Sequence, residues 1–308
     1  MLEKIKAVVV GHAVADALGV PVEFACREEL EAVPTTEMEG YGTYPMPAGT
    51  WSDDTSMALC TMSALIENGL DYDLMMQNFV KWYENGEFTP TGVTFDIGNT
   101  CAYAIHNYHK NQKPYTMCGM NGDRDNGNGS LMRIHPIVLY LAEKDMKVEE
   151  KIQIVHTVSA LTHAHDRSKI ACGIYSFILW ELLKNPTMYA VKEGLQKAYA
   201  FYQGQAELSA YSRLFEVGFM GLPKSEIKST GYVVHTLEAV VWCLLTTNSF
   251  EEAVVKAVNL GEDTDTVGAI TGSLAGVLYG YEAIPERWKK VLLKLDYIEE
   301  LCEQLAEK

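Results

Sequence analysis

The chain contains no Cys-x-x-Cys pair and no His/Cys spacing of the kind that builds a zinc site. Its seven cysteines, Cys26, Cys60, Cys101, Cys118, Cys172, Cys243 and Cys302, are odd in number and scattered. A disulfide framework is therefore not expected; a reduced, cytoplasmic setting is, with the thiols packing as small hydrophobic side chains. Basic residues are also scarce. The 25 Lys and Arg stand against 41 Asp and Glu, a formal net charge of −16. Such a surface repels phosphate backbones on average, so no nucleic-acid polymer is expected as a partner, although a small anion can still bind locally. Long apolar runs are missing: the longest uncharged stretch, Thr266 to Tyr281, is rich in glycine and shorter than the ~20 residues a membrane helix needs. The N-terminal stretch carries Glu3 and Asp16 without a signal-peptide cleavage site. No membrane association is expected. Nor does any Pro/Ser-rich linker divide the sequence, so residues 1–308 read as a single domain.

What is present is helical periodicity, with 48% hydrophobic and 21% charged residues. The pattern predicts helices over Ile5–Leu18, Ser56–Asn68, Tyr72–Glu84, Val148–His163, Ser168–Leu183, Val233–Leu245, Phe250–Leu260 and Val267–Leu278. Capping side chains precede several of them: Asp54-Thr55 before Ser56, Asp71 before Leu74, and Ser249 before Glu251-Glu252. Strands are scarce, and the fold class read from this is all-α. Glycine and polar residues collect at Glu39–Gly49, Gly86–Gly98 and Met117–Ser130, which read as loops over the scaffold. Gly268, Gly272, Gly276 and Gly280 recur every four residues, a strip against which another helix can pack closely.

Two acidic clusters stand out. Ser52, Asp53, Asp54 and Thr55 put oxygen donors at a predicted loop-to-helix junction; taken alone they also suit a helix cap with an acidic first turn. Glu262, Asp263, Asp265 and Thr266 repeat that chemistry before the glycine-striped helix. One Asp there is explained by a cap, three acids in four residues hardly. If the two helices pack side by side, like charges meet, and a cation makes that tolerable. All the donors are oxygens, which favours hard ions such as Mg²⁺ or Mn²⁺ over zinc, and this many carboxylates would suit two of them.

Together with these clusters, the motifs Ala15-Asp-Ala-Leu-Gly-Val-Pro-Val-Glu-Phe24, Phe95-Asp-Ile-Gly-Asn-Thr100, Gly127-Asn-Gly-Ser-Leu-Met-Arg133, Leu161-Thr-His163 and Gly231-Tyr-Val-Val234 resemble the ADP-ribosylglycohydrolase family over nearly the whole chain. The resemblance implies a single-domain orthogonal multi-helical bundle. It implies a hydrolase that cleaves the C1 bond of an ADP-ribosyl group, with ADP-ribosylated arginine as first choice of substrate. A free derivative such as O-acetyl-ADP-ribose, or a non-catalytic ADP-ribose-binding or structural relative, remain as alternatives. It also implies that Ser52, Asp53, Asp54, Asp263, Asp265 and Thr266 ligate two Mg²⁺ or Mn²⁺ ions, that Glu23 stands near the metals and the substrate, and that Asp96 acts in proton transfer; the mechanism expected from this has Asp96 or Glu23 managing the protons on the attacking water and the leaving group. Ala15 and Ser52 stand where many relatives have Gly and Thr, mild departures that leave packing and a hydroxyl ligand intact.

By the same resemblance Gly127, Asn128, Gly129 and Ser130 line ADP-ribose, their backbone N–H groups cradling pyrophosphate before an apolar helix; a plain turn is the competing reading. Arg133 is either part of that site or a structural ion pair. His163 is either a ligand contact or a hydrogen-bonded helix-end histidine, and Tyr232 either stacks on adenine or packs in the core. The leaving group and the oligomeric state are not written in the sequence.

Overall fold

The computed structural model describes residues 1–308. Fourteen α-helices follow one another: α1 (Leu2–Gly19), α2 (Arg27–Ala32), α3 (Asp53–Asn68), α4 (Tyr72–Asn85), α5 (Asn99–His109), α6 (His135–Ala142), α7 (Val148–Ala160), α8 (Asp166–Lys184), α9 (Met188–Tyr202), α10 (Val233–Leu245), α11 (Phe250–Val258), α12 (Thr264–Tyr279), α13 (Glu286–Val291) and α14 (Leu295–Ala306). There is no sheet, only isolated bridges between Met120 and His163 and between Gly127 and Tyr232. The fold is all-α. One continuous hydrophobic cluster of 86 buried residues runs from Ile5 to Leu305.

At its centre α1 and α12 lie side by side. An added Cβ at Gly272 would sit 2.2 Å from the Gly11 carbonyl oxygen, one at Gly276 1.9 Å from that of Ala7, and one at Gly19 2.4 Å from the Asp265 Cα. The two helices therefore touch backbone to backbone, which only glycine permits, and the order of the contacts makes them antiparallel. Gly280 does not belong to this strip. It caps the end of α12 with φ 91°, a left-handed conformation that glycine adopts without steric cost. By length and apolar composition residues 2–22 could cross a membrane, but 83% of that window is buried inside the protein, where α1 serves as the core helix.

The first testable consequence concerns stability. Gly272→Ala drives a methyl into rigid backbone, so it should cost about 1–3 kcal/mol, the usual range for overpacking, and lower Tm by roughly 2–5 °C. Gly221→Ala is the control, because an added Cβ there meets nothing. Thermal melts that moved equally for both would remove the close-packing account.

The antiparallel pairing also sets up the site. It brings the C-terminal end of α1, with Asp16 and Gly19, against the N-terminal end of α12, with Asp263, Asp265 and Thr266. The Thr264 hydroxyl donates to the Gly19 carbonyl at 2.8 Å and seals the junction.

Candidate active site

A third helix end arrives at this junction. Ser52 is the N-cap of α3, its hydroxyl accepting from the Asp54 N–H at 3.3 Å; the helix starts at Asp53, so both acids lie in its first turn rather than before it. Asp16, fully buried in the apolar α1, reaches across. One of its oxygens accepts from the Ser52 N–H at 2.9 Å, the other from the Thr55 N–H at 3.0 Å and the Thr55 hydroxyl at 2.6 Å. Asp16 thus caps α3 from outside and fixes where Asp53 and Asp54 stand. Sequence reading quoted Asp16 inside a motif without giving it a role; its signal was an acid flanked on both sides by core residues.

The two acidic clusters meet. The Thr266 hydroxyl donates to Asp54 Oδ2 at 3.0 Å, and Ser52 Oγ lies 3.2 Å from the same oxygen. Glu23, Asp263 and Asp265 each offer a carboxylate oxygen within 4.8 Å of the others. Asp54 Oδ1 and Asp265 Oδ2 are buried with no hydrogen-bond partner at all. Burial, reinforced by neighbouring carboxylates, pushes Asp53, Asp54 and Asp265 well above the usual carboxylate range, and burial is also the leading cause of the upward shifts of Glu23, Asp96 and Asp263. The N-termini of α3 and α12 point into the cluster, but a helix terminus supplies only ~0.3–1 kcal/mol per charge. Desolvation costs several kcal/mol per buried ion. Protons or a bound cation must make up the difference, and an all-oxygen donor set with orphaned buried oxygens fits a hard divalent cation.

Two loops complete the arrangement. Glu23 follows a single 3-10 turn after α1, and Asp96 lies in the coil before α5. The Tyr44 hydroxyl touches both, 2.7 Å from Glu23 Oε2 and 2.7 Å from Asp96 Oδ1. Burial and these carboxylates raise the phenol far above its ordinary range, so it keeps its proton. Tyr44 sits in a Gly- and Pro-bearing loop with nothing in the sequence to distinguish it, and sequence reading missed it. Phe24, Asp96 and Glu262 all have φ near +60°, a conformation that costs a residue with a Cβ of order 1 kcal/mol or more. Paired backbone bonds hold two of them in place, Phe24 N–H to the Glu262 carbonyl at 2.7 Å and Glu262 N–H to the Ala25 carbonyl at 2.9 Å.

Beside these groups opens a cavity of about 580 Å³ whose wall includes Glu23, Asp53, Asp96, Asp263 and Thr266, the turn Gly127–Gly129, and His163. Asn128 donates to Asp263 Oδ2 at 2.6 Å and to the Thr236 hydroxyl at 3.0 Å, so its amide orients the second acidic cluster. Gly129 leaves room for its neighbours: an added Cβ would lie 2.9 Å from both His163 Cε1 and Cys101 Sγ. His163 is buried, its Nδ1 paired with the Thr162 hydroxyl at 2.8 Å; burial lowers it to about 3, leaving it neutral. Arg124, exposed, is the one Lys or Arg on the wall.

Several expectations need correction. The Ser130 hydroxyl turns into the core, accepting from Ser159 Oγ at 2.9 Å, so it faces away from the cavity. The glycine turn does not open a helix, since α6 begins only at His135. Tyr232 is not on the cavity wall; it packs edge-on against His235, with the Arg167 guanidinium 5.9 Å over its ring, although its backbone pairs with Gly127. Arg133 forms no ion pair. It is fully buried, donating to the Val158 carbonyl and the Thr162 hydroxyl, with its guanidinium 4.7 Å over Phe79.

An all-helical protein with two converging acidic helix ends at an open cavity has known counterparts. The family model described as ADP-ribosylglycohydrolase matches residues 1–308. ADP-ribosylarginine hydrolase Tri1 of Serratia proteamaculans is 34% identical over 306 residues, 99% of this chain and 79% of that protein. ADP-ribosyl-[dinitrogen reductase] glycohydrolase of Rhodospirillum rubrum is 28% identical, with 93% and 88% covered. A solved structure titled ADP-ribosylglycohydrolase-related protein complex superposes with a TM-score of 0.81 at 30% identity, covering 99% of this chain and 98% of that one. The chain belongs to the ADP-ribosylglycohydrolase family and is a glycosyl hydrolase.

Proposed function

We propose that the protein removes ADP-ribose from modified arginine side chains in a reaction that needs two Mg²⁺ or Mn²⁺ ions, held by Ser52, Asp53, Asp54, Asp263, Asp265 and Thr266. The observation that carries this reading is the convergence of both acidic clusters on one cavity with two further carboxylates, Glu23 and Asp96, at its wall. What divalent cations supply in such a cluster is neutralisation of the carboxylates and orientation of the sugar's oxygen atoms.

The chain's own groups do the rest. Water attacks C1 of the ribose, the C1–N bond breaks through a cation-like sugar, and the departing guanidine carries a proton away. Asp96 and Glu23 serve as the pair that takes the water's proton and returns one to the leaving nitrogen. The turn Gly127–Gly129 holds the pyrophosphate clear of the reacting carbon, with neutral His163 behind it. Arginine as leaving group is supported by the names of two similar proteins from Serratia and Pseudomonas putida. It is also supported by the acidic mouth, where exposed Glu262 adds to Glu23 and Asp96 a surface suited to a guanidinium.

Release of free ADP-ribose from ADP-ribosyl-arginine, ADP-ribosyl-serine and O-acetyl-ADP-ribose, compared at equal concentration with Mg²⁺ present, tests the reading. Arginine should be released fastest, by roughly tenfold or more, a margin of about 1.4 kcal/mol in transition-state binding. Faster turnover of the acetyl ester would move the function to free nucleotide derivatives, and no turnover of any would leave only a binding protein.

A further inference from the structure

The two proposed proton-handling carboxylates stand on segments that no regular element joins. Glu23 belongs to the chain leaving α1, and Asp96 to the coil leading into α5. Across the gap between them reaches a third segment. It is stitched to the first: the Thr43 N–H donates to the Pro21 carbonyl at 2.9 Å and the Thr43 hydroxyl to the Glu23 carbonyl at 2.7 Å. Gly42 lies so close that an added Cβ would be 1.9 Å from the Pro21 oxygen. On its other side the Tyr44 ring packs on Phe95, centroids 4.8 Å apart. Tyr44 is thereby anchored to the neighbours of both carboxylates, and its hydroxyl is the one partner that either carboxyl group finds outside the acidic cluster: its single proton serves one of them at a time, while its lone pair accepts from the other when that one is protonated.

We propose that Tyr44 is a positioning residue for the hydrolytic reaction, its hydroxyl clamping the carboxyl groups of Glu23 and Asp96 at a fixed separation on the cavity wall. Two bonds to one oxygen keep Glu23 Oε2 and Asp96 Oδ1 no more than twice 2.7 Å apart. No other hydrogen bond from outside the acidic cluster reaches either carboxyl group. A misplacement of about 1 Å in such groups is enough to cost ~10²-fold in rate, so the clamp acts on the chemical step rather than on substrate capture. The inference rests on the assignment of Glu23 and Asp96 as the proton-handling pair.

Tyr44→Phe tests it, because phenylalanine keeps the packing on Phe95 and loses only the hydroxyl. With ADP-ribosyl-arginine and Mg²⁺, kcat should fall by ~10–100-fold while KM stays within about twofold; Tyr44→Ala should do no better. A crystal structure of Tyr44→Phe should show the Glu23 and Asp96 carboxyl groups separated or in new rotamers, with α1, α3 and α12 unmoved. A kcat within twofold of the unaltered protein, or a raised KM alone, would overturn the clamp, as would carboxyl groups that hold their places without the hydroxyl. If the unaltered protein turns over no ADP-ribosyl substrate, the functional reading falls, and the crystal structure still decides whether Tyr44 fixes the pair.

Discussion

Asp265→Asn is expected to abolish Mg²⁺- or Mn²⁺-supported hydrolysis and to weaken Mn²⁺ binding by at least ~100-fold. The side chain is fully buried, with one oxygen accepting from the Thr266 N–H at 2.9 Å and the other unpartnered. Asparagine fits the space but removes a full charge from beside a divalent ion. At an effective dielectric of 20 a unit pair 4 Å apart is worth about 4 kcal/mol. Losing most of that is more than two decades in affinity. The same substitution should leave the metal-free protein as stable or more stable, because it deletes one of several mutually repelling buried carboxylates. Calorimetry with Mn²⁺ alongside thermal melts without metal reads both effects. Normal Mn²⁺ binding by the variant would take Asp265 out of the ligand set.

A second large effect, of different character, is expected at Asp96→Asn. Asp96 is half-buried at the cavity wall, bonded to Tyr44, and held at φ 59° by the loop that presents it. Asparagine tolerates that backbone conformation well and preserves the polar outline, yet it neither takes up nor returns a proton. The expected outcome is a kcat lowered by ~10²–10⁴-fold, the usual span of general acid–base catalysis, with Mn²⁺ affinity close to that of the unaltered protein and no rescue by excess metal. Asp265→Asn should be partly rescued. If Asp96→Asn lost its metal while Asp265→Asn kept it, the two roles would be exchanged and the mechanism would fall.

How far the sequence reaches can be seen at particular elements. The helices α1, α3, α4, α7, α8, α10, α11 and α12 were readable because each carries a long apolar run into the common core, α1 and α12 on nearly every side, and the caps at Asp71 and Ser249 do accept from Leu74 and Glu252. The helices α5, α6, α9 and α14 escaped. α6 is eight residues long with Pro136 near its start, too short for a periodic signal, whereas α9 and α14 do carry an apolar stripe on one face and charge on the other, a signal that was there and was passed over. The glycine strip announced a close helix contact, and α1 is its partner; nothing local distinguished Gly280, which ends the helix.

At the site, the acidic clusters were legible because carboxylates crowded into a few residues need an explanation that capping does not supply. Asp16 and Tyr44 were not. Their importance comes from reaching between segments far apart in sequence, Asp16 to Ser52 and Thr55, Tyr44 to Glu23 and Asp96, and one chain read alone carries no record of such pairs. Ser130 and Tyr232 show the converse: a motif marks where the backbone passes the cavity, but not which way a side chain turns.

The most direct measurement of the central claim is anomalous diffraction from a crystal soaked in Mn²⁺. The account predicts density at the junction of α1, α3 and α12, in contact with carboxylates of both clusters, Asp53 and Asp54 from one and Asp263 and Asp265 from the other. Mn²⁺ found only at exposed surface acids, with the buried oxygens of Asp54 and Asp265 still unpartnered in the soaked crystal, would contradict it.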